Sequence, residues 1–258
     1  MASSISNSNP NSDLFSAKSR KVFHLNPHPW QERVGATILD AVSKKESIRY
    51  LCVRPTGGGK SLVFNVLASI LKKVTLCICP LLSLGADQTK KTMLNSEGAD
   101  SSQITSFHLD ELKKVTLNKL RRFITHPQAQ STAIVIFASP QSLVDSKHGN
   151  DFLKFLISRK LISLIVFDEI HLVTHFGNTI REEFGKLKDQ LYLKLTYPVP
   201  SLFLTATCTI SIYKGLEKLL GITLNAYHWP LTEEMPHRSI SFKAKYTSIF
   251  SKCLLKLY

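Results

Sequence analysis

Five short runs of nearly continuous apolar residues alternate along the chain with segments whose apolar residues recur at helical spacing. The apolar runs are residues 48–53, 74–79, 133–138, 161–167 and 201–206. Strands buried on both faces of a parallel sheet have this character. The helical segments are residues 61–73, 109–124, 151–159 and 209–220, the last closed by Gly221. This alternation predicts an α/β fold, a mainly parallel sheet covered by helices on both faces.

The first predicted strand runs directly into a glycine-rich loop that precedes a predicted helix. The loop reads Arg54-Pro55-Thr56-Gly57-Gly58-Gly59-Lys60-Ser61. Consecutive glycines let backbone N–H groups surround phosphate oxygens, and the helix N-terminus adds partial positive charge. We expect Lys60 to reach the β- and γ-phosphates and Ser61 to bind Mg²⁺. Arg54 stands where the general phosphate-loop pattern has glycine, and the alternative interpretation is a simple turn ahead of a helix.

An acidic pair follows the predicted strand at residues 161–167, in the sequence Asp168-Glu169-Ile170-His171. Asp168 is expected to hold Mg²⁺ through water, and Glu169 to polarise a water molecule that attacks the γ-phosphate. Because adjacent strand residues point to opposite faces, the two carboxylates can divide these tasks. Taken alone, the pair is equally typical of a solvated loop. Together with the phosphate loop it predicts an ATP-hydrolysing core.

Charge and cysteine content narrow the class of protein. The formal net charge is +14, from 33 Lys and Arg against 19 Asp and Glu, which favours a polyanionic partner. The five cysteines, Cys52, Cys77, Cys79, Cys208 and Cys253, are odd in number and scattered, which predicts buried thiols of a reducing compartment. Apolar stretches long enough to span a membrane are missing from the sequence, so no membrane partner is expected.

Residues 1–20 are half Ser and Asn, a composition that predicts a disordered tail. The segment lacks the apolar core of a secretory signal, and its serine content leaves an organelle transit peptide as the alternative.

Five motifs in order make the sequence resemble superfamily 2 helicases and, within them, the RecQ-like DNA helicases with a DEAH-type box. PTGGGKS (55–61) resembles motif I, whose usual form also lacks the first glycine, and CPLLSLGADQ (79–88) resembles motif Ia. ASPQSL (138–143) resembles motif Ib and TAT (205–207) resembles motif III. DEIHLVTHFGNTIREEF (168–184) resembles the DEAH box with the aromatic-rich loop after it. The resemblance covers roughly residues 22–232 and implies a P-loop NTPase fold, the N-terminal RecA-like lobe.

The resemblance also implies roles for residues outside the phosphate loop and the acidic pair. Gln31 resembles the glutamine that binds the adenine edge, and His171 resembles the residue that relays between the nucleotide and nucleic-acid sites. The resemblance assigns nucleic-acid contact or coupling to Ser83, Gln88, Pro140, His175, Phe176, Arg181, Thr205 and Thr207. It assigns nucleotide binding to Thr56, Gly57, Gly58, Gly59, Lys60, Ser61 and Asp168 beside Gln31.

Four positions depart from the family's pattern. His28 replaces an arginine of the adenine-side motif, and Ile170 replaces the alanine of the DEAH box. His175 and Phe176 stand where the family has glutamine and tryptophan, although Phe176 keeps an aromatic face for stacking on a base.

The predicted organisation is a disordered tail (1–20), a helicase ATP-binding domain (21–232), and a linker with the start of a second lobe (233–258). Family members hydrolyse ATP between two lobes, and the second supplies arginines worth about 10³–10⁵ in rate. No segment after residue 210 resembles those arginine motifs, so we expect poor hydrolysis by this chain alone.

The resemblance implies ATP, Mg²⁺, single-stranded or junction DNA, and a second lobe in cis or in trans as ligands and partners. It implies an intracellular location, nuclear in a eukaryote. The expected function is the ATP-binding lobe of a DNA-dependent 3′-to-5′ helicase of repair and recombination. A catalytically decayed nucleic-acid or partner-binding module is the alternative, and another P-loop NTPase such as a small-molecule kinase is weaker. The positive charge is expected beside motifs Ia and Ib and on the basic helix at residues 109–124.

Overall fold

The computed structural model describes residues 9–79, 104–127, 129, 132–172 and 177–228, with the side chains of 177–181 excepted. The chain divides into two compact units, residues 1–228 and 229–258, and every described residue lies in the first. The predicted linker at 233–258 and the predicted site residues Ser83, Gln88, His175 and Phe176 lie outside the described residues.

Seven parallel strands form one sheet in the order β3-β4-β2-β5-β6-β1-β7. They are β1 (Arg49–Val53), β2 (Lys73–Ile78), β3 (Ile104–His108), β4 (Ala133–Ala138), β5 (Ile162–Phe167), β6 (Ser201–Thr205) and β7 (Ala226–His228). The five predicted strands are β1, β2, β4, β5 and β6, which form the buried centre of the sheet. The edge strands β3 and β7 were not predicted, because β3 mixes polar with apolar residues and β7 is three residues long. The all-parallel α/β fold is confirmed.

Eight helices accompany the sheet in the described residues. They are α1 (Pro10–Phe23), α2 (Pro29–Ser43), α3 (Lys60–Leu71), α4 (Lys114–Thr125), α5 (Pro140–Val144), α6 (Lys147–Ser158), α7 (Gly177–Gln190) and α8 (Ile210–Leu220), with 3₁₀ turns at Leu109–Glu111 and Tyr192–Lys194. Helices α1, α2 and α3 pack together over one face, where their apolar residues form a core with Leu164 and Val166 of β5. On the other face, Phe167 of β5 stacks on Phe203 and lies against Phe184 of α7. Helices therefore cover both faces.

Helix α1 occupies residues for which the sequence predicted a disordered tail, so that prediction is wrong from residue 10 to residue 20. The Asn9 side chain caps the helix by accepting a hydrogen bond from the Asn11 backbone N–H (2.9 Å), and Pro10 stands at the first helical position. Phe15 is fully buried against α2, where a Cβ on Gly35 would overlap its ring. The average composition concealed this apolar stripe, and the small serines between its members permit close packing.

Other segments also differ from expectation in their boundaries, and α6, for example, begins at Lys147 rather than at residue 151. Residues 109–111 of the predicted helix at 109–124 form a 3₁₀ turn, and α4 begins at Lys114. Residues 177–184, assigned by resemblance to a loop, form the first part of α7. In the described part of the chain, no helix combines the length and the apolar character that crossing a bilayer requires.

Candidate nucleotide site

The phosphate loop joins β1 to α3 at the carboxyl edge of the sheet, meaning the edge where the strands end. Gly57 and Gly59 have φ angles of 78° and 80°, in the left-handed region that favours glycine. Gly59 is the N-cap of α3, and a Cβ on Gly58 would lie 2.9 Å from the Pro55 carbonyl oxygen. The loop therefore needs glycine at all three positions and presents the N-terminus of a twelve-residue helix. This cradle fits a chain of phosphates.

The Lys60 side chain folds back into the loop. Its Nζ donates hydrogen bonds to the carbonyl oxygens of Arg54 (3.0 Å) and Pro55 (3.3 Å). The same Nζ lies 3.6 Å from Glu169 Oε1, and the side chain is only 7 % exposed. Every partner is an oxygen, so phosphate oxygens can exchange with them as ligands of the ammonium group. Of the other predicted binding residues, Thr56, Gly57 and Gly59 are exposed and Ser61 is half-buried.

Asp168 and Glu169 follow β5 directly and take different orientations. Asp168 is buried, its backbone N–H donates to the Ile78 carbonyl of β2 (3.0 Å), and its Oδ1 accepts from the Glu169 backbone N–H (3.0 Å). Glu169 has a φ of 51°, a left-handed conformation that places its carboxylate beside Lys60. We expected the alternation of side chains along a strand to separate the two carboxylates, but it does not. A left-handed turn at Glu169, two residues beyond the end of β5 at Phe167, separates them instead.

His171 connects the acidic pair to the end of β6. Its Nδ1 lies 3.1 Å from Thr205 Oγ1 and 3.3 Å from Glu169 Oε2. Thr205 Oγ1 donates its proton to the Thr207 carbonyl (2.6 Å) and accepts from the Thr207 backbone N–H (3.3 Å). Because a hydroxyl has one proton, the hydrogen bond to His171 requires the proton to be on Nδ1. Lys60, Glu169, His171 and Thr205 thus form a continuous polar chain across β1, β5 and β6.

Glu169 Oε2 is buried and, beside its 3.3 Å charge contact with His171 Nδ1, makes no hydrogen bond among the described residues. An unsatisfied buried carboxylate oxygen is costly, and it is an acceptor available to a water molecule. Ser61 and Asp168 offer the hydroxyl and carboxylate oxygens that Mg²⁺ prefers, with water completing its coordination. The residues present therefore fit a Mg²⁺-bound triphosphate.

Gln31 lies at the start of α2 and is 1 % exposed. Its Oε1 accepts a hydrogen bond from the His28 backbone N–H (2.6 Å), and its Nε2 donates to the Gly59 carbonyl (2.8 Å). Both ends of the amide are thus bound within the chain. In this structure Gln31 joins α2 to the phosphate loop, and the adenine contact that the resemblance implies requires these bonds to exchange.

A cluster that was not predicted from the sequence lies behind the phosphate loop. The buried Arg54 guanidinium contacts His228 Nε2 through Nε (3.1 Å) and Nη2 (2.8 Å), and its Cζ lies 4.6 Å from the centre of the Trp30 ring. Trp30 and His228 stack with ring centres 5.7 Å apart. The Arg54 backbone N–H also donates to the Thr205 carbonyl (2.9 Å). Arg54 thereby ties the loop to α2, β6 and β7, and its departure from the general phosphate-loop pattern was the available signal.

The structure does not bring every predicted residue to this site. Pro140 is buried as the first residue of α5, whose N-cap Ser139 donates its backbone N–H to Asp110 Oδ2 (2.9 Å). Beside it lies a separate cavity of about 430 Å³. Arg181 lies on α7, and its side chain is outside the described part of the structure.

The four cysteines among the described residues are free and buried, as the sequence predicted. Burial raises the pKa of Cys52 to about 12, and burial with the neighbouring Cys79 raises the pKa of Cys77 well above its usual range. Both thiols stay protonated at neutral pH and supply no nucleophile to the site.

Comparison with known proteins agrees with this geometry. The DEAD/DEAH box helicase family matches residues 28–214. A putative ATP-dependent DNA helicase Q1 of Caenorhabditis briggsae is 31 % identical over 186 residues, which is 71 % of this chain and 28 % of the relative. A probable ATP-dependent DNA helicase RecS of Bacillus subtilis is 31 % identical over 181 residues, 70 % of this chain and 32 % of the relative. The chain therefore spans about a third of the length of these relatives.

Among solved structures, the helicase domain of Pyrococcus furiosus Hef superposes with a TM-score of 0.53 at 21 % identity, covering 82 % of this chain and 40 % of that one. At this identity the likeness concerns the fold.

Proposed function

Because the chain belongs to the DEAD/DEAH box helicase family, we propose that it is the ATP-binding lobe of a RecQ-type, DNA-dependent ATPase and 3′-to-5′ DNA helicase that unwinds DNA in repair and recombination. One observation carries the proposal. The polar chain from Lys60 through Glu169 and His171 to Thr205 joins a phosphate-binding lysine to a carboxylate that can act as general base, and then to the end of β6.

In the proposed mechanism, Lys60 exchanges the Arg54 and Pro55 carbonyl oxygens for phosphate oxygens of ATP. The N-terminus of α3 and the backbone of Gly57–Gly59 hold the remaining phosphate charge. Ser61 and Asp168 would hold Mg²⁺, which would neutralise charge that develops on the phosphate oxygens. Gln31 turns towards the adenine edge when its bonds to His28 and Gly59 exchange.

Glu169 is the general base of the proposed reaction. Its Oε2 accepts a hydrogen bond from the attacking water and takes the proton as the water oxygen bonds to the γ-phosphorus. The bond from that phosphorus to the β–γ bridging oxygen breaks, and ADP leaves. His171 holds Nδ1–H between Glu169 and Thr205, so a change in the Glu169 charge alters the hydrogen bonds of Thr205 and Thr207. Hydrolysis at the γ-phosphate is thereby coupled to the hydrogen bonds at the end of β6.

The partners in this proposal are single-stranded or junction DNA and a second RecA-like lobe, supplied in cis or in trans. The second lobe contributes arginines that stabilise the transferred phosphate, which are worth about 10³–10⁵ in rate. Strand movement arises as the lobes close and open around ATP. An intracellular location, nuclear in a eukaryotic cell, belongs to the same proposal.

The proposal is tested by the steady-state ATPase rate of the purified chain with and without single-stranded DNA, and with a second lobe from a RecQ-like relative added. We expect a low basal rate that DNA and the added lobe both raise. If neither nucleotide affinity nor hydrolysis is detected with the lobe supplied, the motor function is wrong.

A catalytically decayed nucleic-acid or partner-binding module is the second candidate. The occupied amide of Gln31 favours it, since the adenine contact is not free. The decayed module would bind DNA with a steep salt dependence and show no effect of ATP on that affinity. Fluorescence anisotropy of a labelled oligonucleotide over a salt series, with and without ATP, separates the two candidates.

A further inference from the structure

The charge of the described residues is concentrated away from the nucleotide site. We call the edge where the strands begin the amino edge. Its described connections and first strand residues carry Lys44, Lys45, Arg49, Lys72, Lys73, Arg159, Lys160 and Lys194 against the single acid Glu46. The described strand-to-helix connections at the carboxyl edge carry Asp110, Glu111, Asp168 and Glu169 against Arg54 and Lys113, and the turn between α5 and α6 adds Asp145. The connection after motif Ib carries Asp145, whereas α4, in the segment 109–124 where positive charge was expected, carries Lys114, Lys119, Arg121 and Arg122 and no acid.

Several amino-edge lysines occupy a backbone conformation that lysine rarely takes. Lys45, Lys72, Lys73 and Lys160 have φ angles of 58°, 57°, 54° and 53°. Lys45 and Lys160 stand just after α2 and α6, where glycine is the usual residue. There the Glu46 N–H donates to the Ala41 carbonyl (2.8 Å) and the Leu161 N–H donates to the Leu156 carbonyl (3.0 Å). The C-terminal end of a helix favours a nearby cation, but the cation need not be on the residue with the left-handed conformation. Lysine at Lys45 and Lys160 therefore costs stability that glycine would not.

An apolar cavity opens between two of these lysines. It has a volume of about 410 Å³ and is lined by Lys45, Lys73 and the acidic residue Glu46 together with apolar walls. The walls are Val42, Leu71, Ile162, Pro198 and Pro200. The polar groups beside them are already bonded, since the Tyr197 hydroxyl accepts from the Ile162 N–H (3.1 Å) and Ser163 Oγ donates to the Lys72 carbonyl (2.7 Å). The cavity therefore offers apolar surface inside a rim of two lysines and one glutamate, on an edge where Lys and Arg outnumber acids by eight to one.

We propose that this cavity is a docking site for an acidic protein segment that inserts one apolar side chain between Lys45 and Lys73. Charge complementarity selects the acidic residues on either side of the anchor. The five apolar wall residues select an apolar anchor, because most of the edge of a nucleotide base would lose its hydrogen bonds against them. The site uses no residue of the phosphate loop and is independent of the proposed ATPase function.

The probe is a fluorescein-labelled peptide of eleven residues in which alternating Asp and Glu flank a central Phe. Binding to the full 258-residue chain is measured by anisotropy. We expect saturable binding with Kd below about 100 μM at low salt, and about tenfold weaker binding when the Phe is replaced by Ala. A single-stranded oligonucleotide of equal charge is the comparison ligand.

The variants Lys45→Gly and Lys73→Gly remove the rim charges at left-handed positions. We expect each to weaken peptide binding several-fold, and the double variant about tenfold. Lys45→Gly also relieves strain after α2 and is expected to raise the melting temperature, so weaker binding cannot be attributed to misfolding. Lys160→Gly is the matched control, because it makes the same backbone and charge change outside the cavity lining, and less than a twofold change in affinity is expected.

The docking site is disproved if the Phe and Ala peptides bind equally, or if the oligonucleotide competes with the same dependence on Lys45 and Lys73. Either result identifies a general polyanion surface. Equal losses in Lys160→Gly and Lys45→Gly also contradict the site, because the effect then follows net charge. ATP affinity, measured on the same variants, reports separately on the phosphate loop and should not change.

Discussion

Glu169 has two tasks at the scale of single residues, because it is both the counter-ion of Lys60 and the proposed base. The 3.6 Å contact between Lys60 Nζ and Glu169 Oε1 links the phosphate-binding group to the hydrolytic group before any nucleotide arrives. Removing the carboxylate charge therefore affects binding and chemistry in opposite directions.

We expect Glu169→Gln to lower the hydrolysis rate by about 10²–10⁴-fold, because the amide cannot accept the proton of the attacking water. Nucleotide affinity should be equal or higher, since Lys60 no longer pairs with a carboxylate that competes with phosphate. Rates come from a coupled ATPase assay and affinities from a labelled ATP analogue. The control is Glu182→Gln at an exposed position of α7, and a parallel loss of affinity and rate in Glu169→Gln would argue against the base.

Arg54 is the second residue with a separable effect. Arg54→Ala should destabilise the fold by about 2–4 kcal/mol, because the variant loses the cation–π contact with Trp30 and leaves the buried His228 without its donor. Urea denaturation measures the loss. Arg159→Ala, at an exposed arginine after α6, should change stability by less than about 0.5 kcal/mol. Equal stability of the two variants would show that the cluster contributes nothing.

At the scale of elements, the contact between α1 and α2 depends on one glycine. Gly35 lets the Phe15 ring lie directly on the α2 backbone, where a Cβ would overlap the ring. Two other helical glycines, Gly185 in α7 and Gly215 in α8, have open space where a Cβ would stand. The same substitution should thus have opposite signs in different helices.

Gly35→Ala should lower the free energy of unfolding by about 1–3 kcal/mol, because the added methyl group displaces the Phe15 ring. Gly215→Ala should raise it by about 0.5–1 kcal/mol, because alanine is the better helix former and meets nothing. Paired urea titrations give both values. If Gly35→Ala also stabilises the protein, α1 is not packed on α2 as described.

The sequence predicted helices and strands well where apolar residues are buried on every face of the element. It predicted them poorly where only one stripe of the element is buried. Runs such as residues 133–138, which match β4 at both ends, have apolar residues on both faces of a central strand and leave no other assignment. Helix α1 was missed because one stripe that includes Phe15 and Val22 lies among serines, so average composition misled where periodicity would have helped.

The features of the candidate site also fall into those that the sequence predicted and those that it did not. The sequence predicted that the phosphate loop and the acidic pair form one core, and the resemblance gave Thr205 a coupling role. The left-handed turn at Glu169 and the pairing of Arg54 with His228, 174 positions apart in the chain, depend on tertiary packing that no local pattern encodes.

At the scale of the whole molecule, thiol reactivity reports on global unfolding. Burial raises the pKa of Cys52 to about 12 and of Cys208 to about 11, so neither forms appreciable thiolate at pH 8 in the folded protein. We expect labelling of both by iodoacetamide to be slow in buffer and fast in denaturing urea, with sites assigned by mass spectrometry. Rapid labelling of Cys52 in buffer would contradict the burial of β1.

Helix α1 also determines where a usable recombinant fragment of this domain begins. The family match starts at residue 28, and a fragment cut there would lack Phe15, Val22 and Phe23, all of which are buried. The uncovered faces of α2 and α3 would then meet solvent, and aggregation in expression trials would follow. A fragment that begins at Asn9 retains both the cap and the stripe. An absent activity measured on the shorter fragment would reflect the cloning boundary rather than the chemistry of the phosphate loop.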